Sequence, residues 1–318
     1  MKFMRSTSPR PPRLAGLSYP NDPRQLAAQL DTWFNQALDN LPALSTTWRA
    51  ALCPHIDFAR GGAVYATVHR ALNHLNQPSS TYLIYGVSHR VWCRHRFAAT
   101  RRDFATPLGL VRTDQRFLDH LERVFGPELF VDADAHDPEW SIEFQAVWLQ
   151  HLLGGRRDFT IVPILVGSFH DLMVRGVDPL EDPLVQRMVE AIVRAERDHD
   201  RPVFHLASVD FSHIGPEFGD PEPLRDHDLE QLRQFDRAML DHLGRLDAHA
   251  WFAEAAAIKD RHRVCGLAAT YTMTRILTRP DAARVAHARG PAPVYRQAVS
   301  HDRDCCVSFA GVLIPDAT

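Results

Sequence analysis

The sequence predicts one α/β domain with a largely parallel or mixed central sheet and helices on both faces. Three observations support this fold class. Apolar stretches of strand length alternate with stretches of helical periodicity along the chain. The stretch "DFTIVPILVGS" is continuously apolar, which is typical of a strand buried on both faces. No Gly/Ser/Pro-rich linker divides the 318 residues.

In the first half of the chain, predicted strands alternate with predicted helices. "RAALCPH" predicts a short strand, and "GGAVYATVHRALNHLNQ" carries apolar side chains at helical spacing. "TYLIYGVSH" predicts the next strand. "DQRFLDHLERVFG" predicts an amphipathic helix capped by Asp114 and ended by Gly126. "DPEWSIEFQAVWLQHLLGG" predicts a helix with Asp137 as its cap and Pro138 in its first turn.

The second half continues the alternation. "DFTIVPILVGS" is followed by the helical stretch "DPLVQRMVEAIVRAERD" and by the strand "PVFHLASVDFSH". Helical patterns then run from about Leu224 to Leu246, through "DAHAWFAEAAAI" and through "VCGLAATYTMTRILTR". "PVYRQAVS" and "CCVSFAGVLI" predict a closing antiparallel pair of strands.

Composition excludes several classes of protein. The formal charge is −3, with no basic run, so nucleic acid is not an expected partner. No apolar stretch approaches the roughly 20 residues of a membrane span. Five cysteines without a C-x-x-C pair suit a reducing, cytoplasmic location. The polar, proline-rich start predicts a flexible tail over residues 1–13, followed by one domain over 14–318.

Three histidines follow predicted strands. His55 comes after "AALC", His89 ends "LIYGVSH" and His213 ends "HLASVDFSH". In open α/β sheets ligands bind at the carboxyl ends of strands, so these imidazoles are expected to converge for metal binding or acid/base chemistry. The alternative is that some of the 18 histidines fall at strand ends by chance and only form hydrogen bonds in loops.

Carboxylates near these positions have two interpretations each. Asp210 either orients a histidine or caps a loop. Glu143 either faces the same pocket or only complements the dipole at a helix start. Asp57 is either a ligand through its spacing from His55 or a partner of Arg60.

Taken in order, these stretches resemble the MEMO family, which in microbes is also called AmmeMemoRadiSam system protein B and is similar in fold to class III extradiol dioxygenases (LigB-like). The resemblance runs from about Ala15 to Ile314. It is carried by "AGLSYP", "PHIDFARGG", "YGVSH", "EWSIEFQ", "FTIVPILVG", "SVDFSH", "RVCGLAAT" and "VSFAGVLI".

The resemblance implies a ligand set and a pocket. It makes His55, His89 and Cys265 the metal ligands, with Cys265 where the related dioxygenases supply a glutamate. From the sequence without the resemblance, the favoured interpretation of Cys265 is a small buried apolar residue at the head of a helix. His213 matches the acid/base histidine of the dioxygenases, and Asp210 and Glu143 line the same pocket. Two departures alter that pocket, because "PHIDF" replaces the usual Pro-His-Ala-Gly-Tyr and Trp140 replaces a usual histidine.

Two functions follow from the resemblance. In the first, the protein is a redox enzyme or oxygenase that uses iron or copper, with zinc also suited to a site containing a thiolate, on an unknown small substrate. In the second, the fold has become a non-catalytic binding or scaffold protein whose pocket recognises a peptide or protein partner. The microbial relatives also imply a functional link to a radical-SAM protein.

Overall fold

The computed structural model describes residues 8–36, 47–74, 80–279 and 294–316. The α-helices in these ranges are α1 (Pro23–Gln36), α2 (Phe58–His74), α3 (Gln115–Phe125), α4 (Ser141–Leu153), α5 (His170–Arg175), α6 (Pro183–Asp198), α7 (Asp226–Gly244), α8 (Ala248–Ala257) and α9 (Leu267–Leu277). The strands are β1 (Trp48–Cys53), β2 (Thr81–Val87), β3 (Phe97–Ala99), β4 (Phe104–Thr106), β5 (Gly109–Val111), β6 (Thr160–Val166), β7 (Val203–Ser208), β8 (His213–Ile214), β9 (Val294–Val299) and β10 (Cys306–Pro315).

The main sheet has a parallel centre and antiparallel margins. Its order is β3-β6-β2-β7-β1-β10-β8, with β9 also paired to β10, while β4 and β5 form a separate hairpin. β6, β2, β7 and β1 run parallel to one another. β3 pairs antiparallel with β6, and β10 pairs antiparallel with β1, β8 and β9. The predicted mixed α/β sheet and the closing antiparallel pair are therefore confirmed.

Helices cover both faces of this sheet because successive strand side chains point to opposite sides. Leu83 and Tyr85 of β2 belong to an apolar cluster with residues of α3, α6, α8 and α9. Tyr82 and Ile84 of the same strand belong to a second cluster with residues of α1, α2 and α4. The parallel strands are buried along almost their whole length, as "FTIVPILVG" predicted.

Most of the predicted helices lie where the apolar periodicity predicted them, but the predicted start of α4 is wrong. Asp114 caps α3, since its side chain accepts a hydrogen bond from the Phe117 N–H, and Gly126 ends that helix. α4 begins at Ser141, with Trp140 at its cap position, and not at Asp137 and Pro138. The intervening residues form a bend that carries Glu139 towards the ends of the parallel strands. α1, β3, β4, β5 and α5 were not predicted.

The predicted flexible tail is too long. Residues 1–7 lie outside the described ranges, but Arg10 is fully buried. Its backbone N–H donates to the Asp103 carbonyl at 2.7 Å, and its carbonyl accepts from the Ala105 N–H at 2.8 Å. Its guanidinium donates to the His136 carbonyl at 2.9 Å and pairs with the Glu143 carboxylate. Residues 8–13 are thus part of the folded domain.

None of the helices in the described ranges combines the length and the apolar character needed to cross a membrane.

Replacing Asp114 with alanine is expected to lower the free energy of unfolding by about 1–3 kcal/mol at neutral pH. The buried carboxylate accepts from the Phe117 N–H at 2.9 Å and from the Thr81 and Thr160 hydroxyls at 2.8 Å each. Burial opposes ionisation, but these hydrogen bonds outweigh it and lower the pKa of Asp114.

The contribution of Asp114 is therefore present above its ordinary pKa and is lost as pH falls through the lowered folded-state value. Urea denaturation at pH 7 and pH 3 measures the difference, which is expected to shrink at pH 3. Asp247→Ala is the control, because the exposed Asp247 caps α8 through the Ala250 N–H alone. A loss from Asp114→Ala no larger than that of the control would contradict the prediction.

Candidate metal centre

Three side chains that meet at the carboxyl edge of the sheet occupy equivalent positions on neighbouring parallel strands. β1, β2 and β7 end at Cys53, Val87 and Ser208, and His55, His89 and Asp210 each lie two residues beyond. The parallel register brings these strand ends together. The convergence expected for strand-end histidines is thus present for His55 and His89. His213 was expected to follow β7 in the same way, but it begins the short strand β8. The residue two positions beyond the end of β7 is Asp210.

The His55 ring is buried and its orientation is set by the neighbouring strand. Its Nδ1–H donates to the Ser208 carbonyl at 2.8 Å, so Nε2 is the atom left with a free lone pair. Gln145 of α4 supports this arrangement by donating to the Pro54 carbonyl and to the Ser208 hydroxyl, both at 2.8 Å. Burial, and then the proximity of His89, lower the pKa of His55 to about 3. The ring is therefore neutral at pH 7, the form that binds metal.

A carboxylate that the sequence analysis missed orients the second histidine. The His89 Nδ1 lies 3.1 Å from both oxygens of Glu139, and its backbone N–H donates to the same carboxylate at 2.9 Å. Burial alone would raise the pKa of Glu139, but the hydrogen bonds and charge of His89 lower it to about 2. A carboxylate that holds the Nδ1 side of a histidine leaves Nε2 for a metal and raises its basicity.

Cys265 approaches from the loop before α9. Its backbone N–H donates to the Phe211 carbonyl at 3.2 Å, and the next residue, Gly266, donates to the Asp210 carbonyl at 3.1 Å. A Cβ on Gly266 would lie 2.6 Å from the Val209 Cβ, so glycine is required for this close approach. The Cys265 Sγ then lies 3.4 Å from His55 Nε2. Burial and the Asp210 charge raise the pKa of the thiol, so only a bound cation would favour the thiolate.

The arrangement of these donors fits a metal ion. Ligand atoms of His55, His89 and Cys265 all lie within 4.8 Å of one another. The two rings are nearly perpendicular, with centroids 4.8 Å apart. In a tetrahedral site with ordinary Zn–N and Zn–S bonds, nitrogen and sulfur ligands are about 3.5 Å apart, close to the observed separation of Sγ and His55 Nε2. Small shifts of His89 would complete the site.

Asp210 and His213 lie next to these donors. Asp210 Oδ1 accepts from the His55 backbone N–H at 3.0 Å, and Oδ2 lies 3.7 Å from His55 Nε2. Burial raises the pKa of Asp210 to about 6, although the charge of His213 opposes it. The His213 Nδ1 lies 3.2 Å from the Phe211 and Arg263 carbonyls, so it carries the proton and leaves Nε2 as the acceptor. Burial lowers the pKa of His213, and Asp210 partly restores it.

Of the remaining predicted site residues, Trp140 lies at the metal site, whereas Asp57 pairs with an arginine. Trp140 lies flat on the His89 ring, with centroids 4.8 Å apart and planes 4° from parallel, so it forms one side of the site. Asp57 takes the second of its two predicted roles: it pairs with Arg60 at 2.5 Å and accepts from the Arg60 N–H in the first turn of α2.

The carboxylate of Glu143 is occupied away from the cluster. It pairs with Arg10, accepts from the Tyr19 hydroxyl, and accepts from the backbone N–H groups of Arg13 at 3.0 Å and Leu14 at 2.8 Å. These contacts favour a structural role for Glu143 instead of the predicted place in the pocket.

Fold and site together define an α/β protein with a candidate His/His/Cys metal centre at the carboxyl edge of its parallel strands. The chain belongs to the Memo-like protein family, whose model matches residues 10–313. This confirms the family resemblance seen in the motifs, whereas the similarity in fold to class III extradiol dioxygenases stays a prediction.

Relatives with the same family name occur in bacteria and archaea. A MEMO1 family protein of Aquifex aeolicus is 27% identical over 84% of this chain and 64% of its own length. One of Thermus thermophilus is 30% identical over 77% of this chain and 67% of its own length. One of Methanopyrus kandleri is 30% identical over 82% of this chain and 84% of its own length.

Proposed function

We propose that the protein is a metal-dependent redox enzyme of the oxygenase type that acts on a small substrate. The observation that carries the proposal is the convergence of the His55, His89 and Cys265 donor atoms within 4.8 Å. Both rings are held through Nδ1, by the Ser208 carbonyl and by Glu139, so that Nε2 of each is available. A histidine that only formed a hydrogen bond in a loop would not need its ring oriented with Nε2 left available, as both of these rings are.

The donor set favours a soft or borderline metal. Iron or copper is the proposed ion, and zinc also suits two imidazoles and a thiolate. Such an ion would supply a binding position for O₂ or substrate and, if it is iron or copper, a redox electron. Cys265 is itself oxidisable, so it has to be kept from oxidants. The raised pKa of its partly buried thiol serves that need when no metal is bound, because the thiolate is the reactive form.

Asp210 and His213 are proposed to handle protons. With Nδ1 committed to two carbonyls, neutral His213 would accept a proton from a substrate hydroxyl at Nε2. The Asp210 carboxylate would stabilise the resulting imidazolium by its charge. Asp210 also fixes the backbone of His55, so it connects the proton acceptor to the ligand set.

Purification without oxygen followed by metal analysis is expected to give wild-type protein with iron or copper close to one ion per chain. The variant His55→Ala/His89→Ala is expected to hold only background metal. The control His227→Ala/His301→Ala removes two exposed histidines and is expected to keep its metal. Equal metal in all three proteins, or background metal in the wild type, would overturn the proposed site.

The alternative is a binding or scaffold protein whose pocket takes a peptide. Trp92, which is 68% exposed beside His89, favours a binding protein, because exposed indoles are enriched at recognition surfaces.

Measurement of oxygen uptake with catechol distinguishes the proposed enzyme from the binding protein. Uptake by metal-loaded wild type that is lost in His213→Ala supports the enzyme. Absence of uptake with catechol and other diphenols, at full metal content, favours the binding protein. The link to a radical-SAM protein stays a prediction from the family.

A further inference from the structure

The loop between α8 and α9 has an unusual backbone. In the described ranges six non-glycine residues have a positive φ, and three of them lie in this loop: Lys259 (52°), Asp260 (50°) and Arg263 (52°). This conformation is disfavoured for residues with a Cβ, and it persists where surrounding contacts stabilise it. The next residues of the loop lead to Cys265. The strained backbone therefore lies directly before a proposed metal ligand.

The backbone of this loop is bonded to the segment that carries His213. The His213 N–H donates to the His262 carbonyl at 2.7 Å, and the Cys265 N–H donates to the Phe211 carbonyl at 3.2 Å. Arg263 lies between these two bonds, and its carbonyl accepts from the His213 Nδ1–H at 3.2 Å. The left-handed backbone of Arg263 thus presents its carbonyl to the imidazole of the proposed proton acceptor.

The side chain of Arg263 contacts the same histidine from its backbone side. The guanidinium donates to the His213 carbonyl at 3.1 Å and to the two carboxylate oxygens of Asp220 at 2.6 and 3.3 Å. Asp220 also accepts from the Gly215 N–H at 2.7 Å. Burial alone would raise the pKa of Asp220, but the hydrogen bonds from Arg263 and Gly215 lower it. Arg263 and ionised Asp220 therefore form a clamp on the loop that begins at His213.

This clamp bears on the chemistry of His213 through the tautomer of the ring. A neutral imidazole carries one proton, and the nitrogen without it is the acceptor. The Nδ1–H form leaves Nε2 able to accept a proton, whereas the Nε2–H form can only donate there. Phe218 meets the ring edge-on, with centroids 5.1 Å apart, and this apolar contact does not select a tautomer. The carbonyls of Phe211 and Arg263 do select one, because each accepts from Nδ1–H.

We propose that Arg263 is a positioning residue that, together with Asp220, holds His213 in the tautomer able to accept a proton at Nε2. A loop with a left-handed residue would ordinarily be served by glycine, which adopts that conformation without strain. Arginine adds the guanidinium that connects the His213 carbonyl to Asp220. The inference rests on the proposed function for the claim that His213 accepts a proton from a substrate.

Nitrogen NMR of the full, metal-free chain at pH 7 reports which ring nitrogen is protonated. The His213 signals are identified by their absence from His213→Gln. In wild type the proton is expected on Nδ1. Arg263→Gly allows the left-handed backbone but removes the guanidinium, and it is expected to shift the Nε2 resonance towards that of a protonated nitrogen. Lys259→Gly is the matched control, because Lys259 has the same φ in the same loop and an exposed side chain. It is expected to leave the His213 resonances unchanged.

Two further measurements connect the clamp to the reaction. Asp220→Asn keeps one acceptor for Arg263 but removes the charge, so it is expected to shift the same resonance by a smaller amount. In metal-loaded protein, Arg263→Gly is expected to lower kcat for oxygen uptake with catechol by roughly tenfold, less than the roughly 100-fold or more that a general base contributes. KM should change little, because the Arg263 guanidinium is occupied by His213 and Asp220.

Three NMR results would overturn the inference: a proton on Nε2 in wild type, an unshifted resonance in Arg263→Gly, or an equal shift in Lys259→Gly. An unshifted resonance in Asp220→Asn would overturn the part assigned to Asp220. Wild-type kcat in Arg263→Gly would overturn its role in the reaction. Failure of the proposed function is distinguishable, because wild type would then lack metal or oxygen uptake while Arg263→Gly still shifted the His213 resonance. Failure of the inference would leave metal content and wild-type uptake intact.

Discussion

Replacing Glu143 with glutamine is expected to lower the free energy of unfolding by about 3–5 kcal/mol, because it leaves a buried arginine without its counter-ion. Arg10 and Glu143 are both almost completely buried and pair directly. The same carboxylate accepts from the Tyr19 hydroxyl and from the N–H groups of Arg13 and Leu14. One glutamine oxygen cannot replace two carboxylate oxygens that serve four donor residues.

Urea denaturation at pH 7 measures this loss. Glu230→Gln is the matched control, because Glu230 pairs with Arg233 on an exposed part of α7 and such pairs contribute less than about 1 kcal/mol. Metal content should be retained in the folded fraction of Glu143→Gln. If stability is unchanged while metal or activity is lost, the structural role is refuted and the catalytic role predicted from the sequence is restored.

The parts of the structure that the sequence predicted are those set by local pattern. The continuous apolar strand "FTIVPILVG" predicts burial on both faces, and β6 is buried from Ile161 to its end. Histidines placed just after two such strands predict convergence, since parallel strands share a carboxyl edge. His55 and His89 converge for this reason. Cys265 could not be found this way, because the loop before α9 is brought to the site by backbone contacts with Phe211 and Asp210; only the family resemblance indicated it.

The place where α4 begins explains why Glu143 was assigned to the pocket and Glu139 was missed. "EWSIE" offers two carboxylates, and either could complement the helix dipole or enter a pocket. The start of α4 at Ser141, three residues after Pro138, decides between them. It places Glu139 in the bend next to His89 and Glu143 in the first turn of the helix against Arg10. The segment around Arg10, predicted to be flexible, supplies the partner of Glu143 in this position.

Glu139→Gln is expected to weaken metal binding by roughly 10- to 100-fold, the usual cost of removing a carboxylate that orients a ligand histidine. Glutamine can still accept a hydrogen bond from the His89 Nδ1–H, but it removes the negative charge that raises the basicity of Nε2. It also exchanges one acceptor for an amide that cannot accept from the His89 backbone N–H. Competition with a chromophoric chelator, titrated under anaerobic conditions, measures the change in affinity.

Asp57→Asn is the matched control, because Asp57 follows His55 closely in sequence but pairs with Arg60. Its metal affinity is expected to equal that of wild type. A loss of affinity in Asp57→Asn with none in Glu139→Gln would mean that the HID spacing supplies the supporting carboxylate and that the His89–Glu139 pair does not. A loss of affinity in Glu139→Gln alone would mean that the carboxylate supporting His89 is Glu139, in the bend before α4. The alternation of strands and helices in the sequence does not indicate that position.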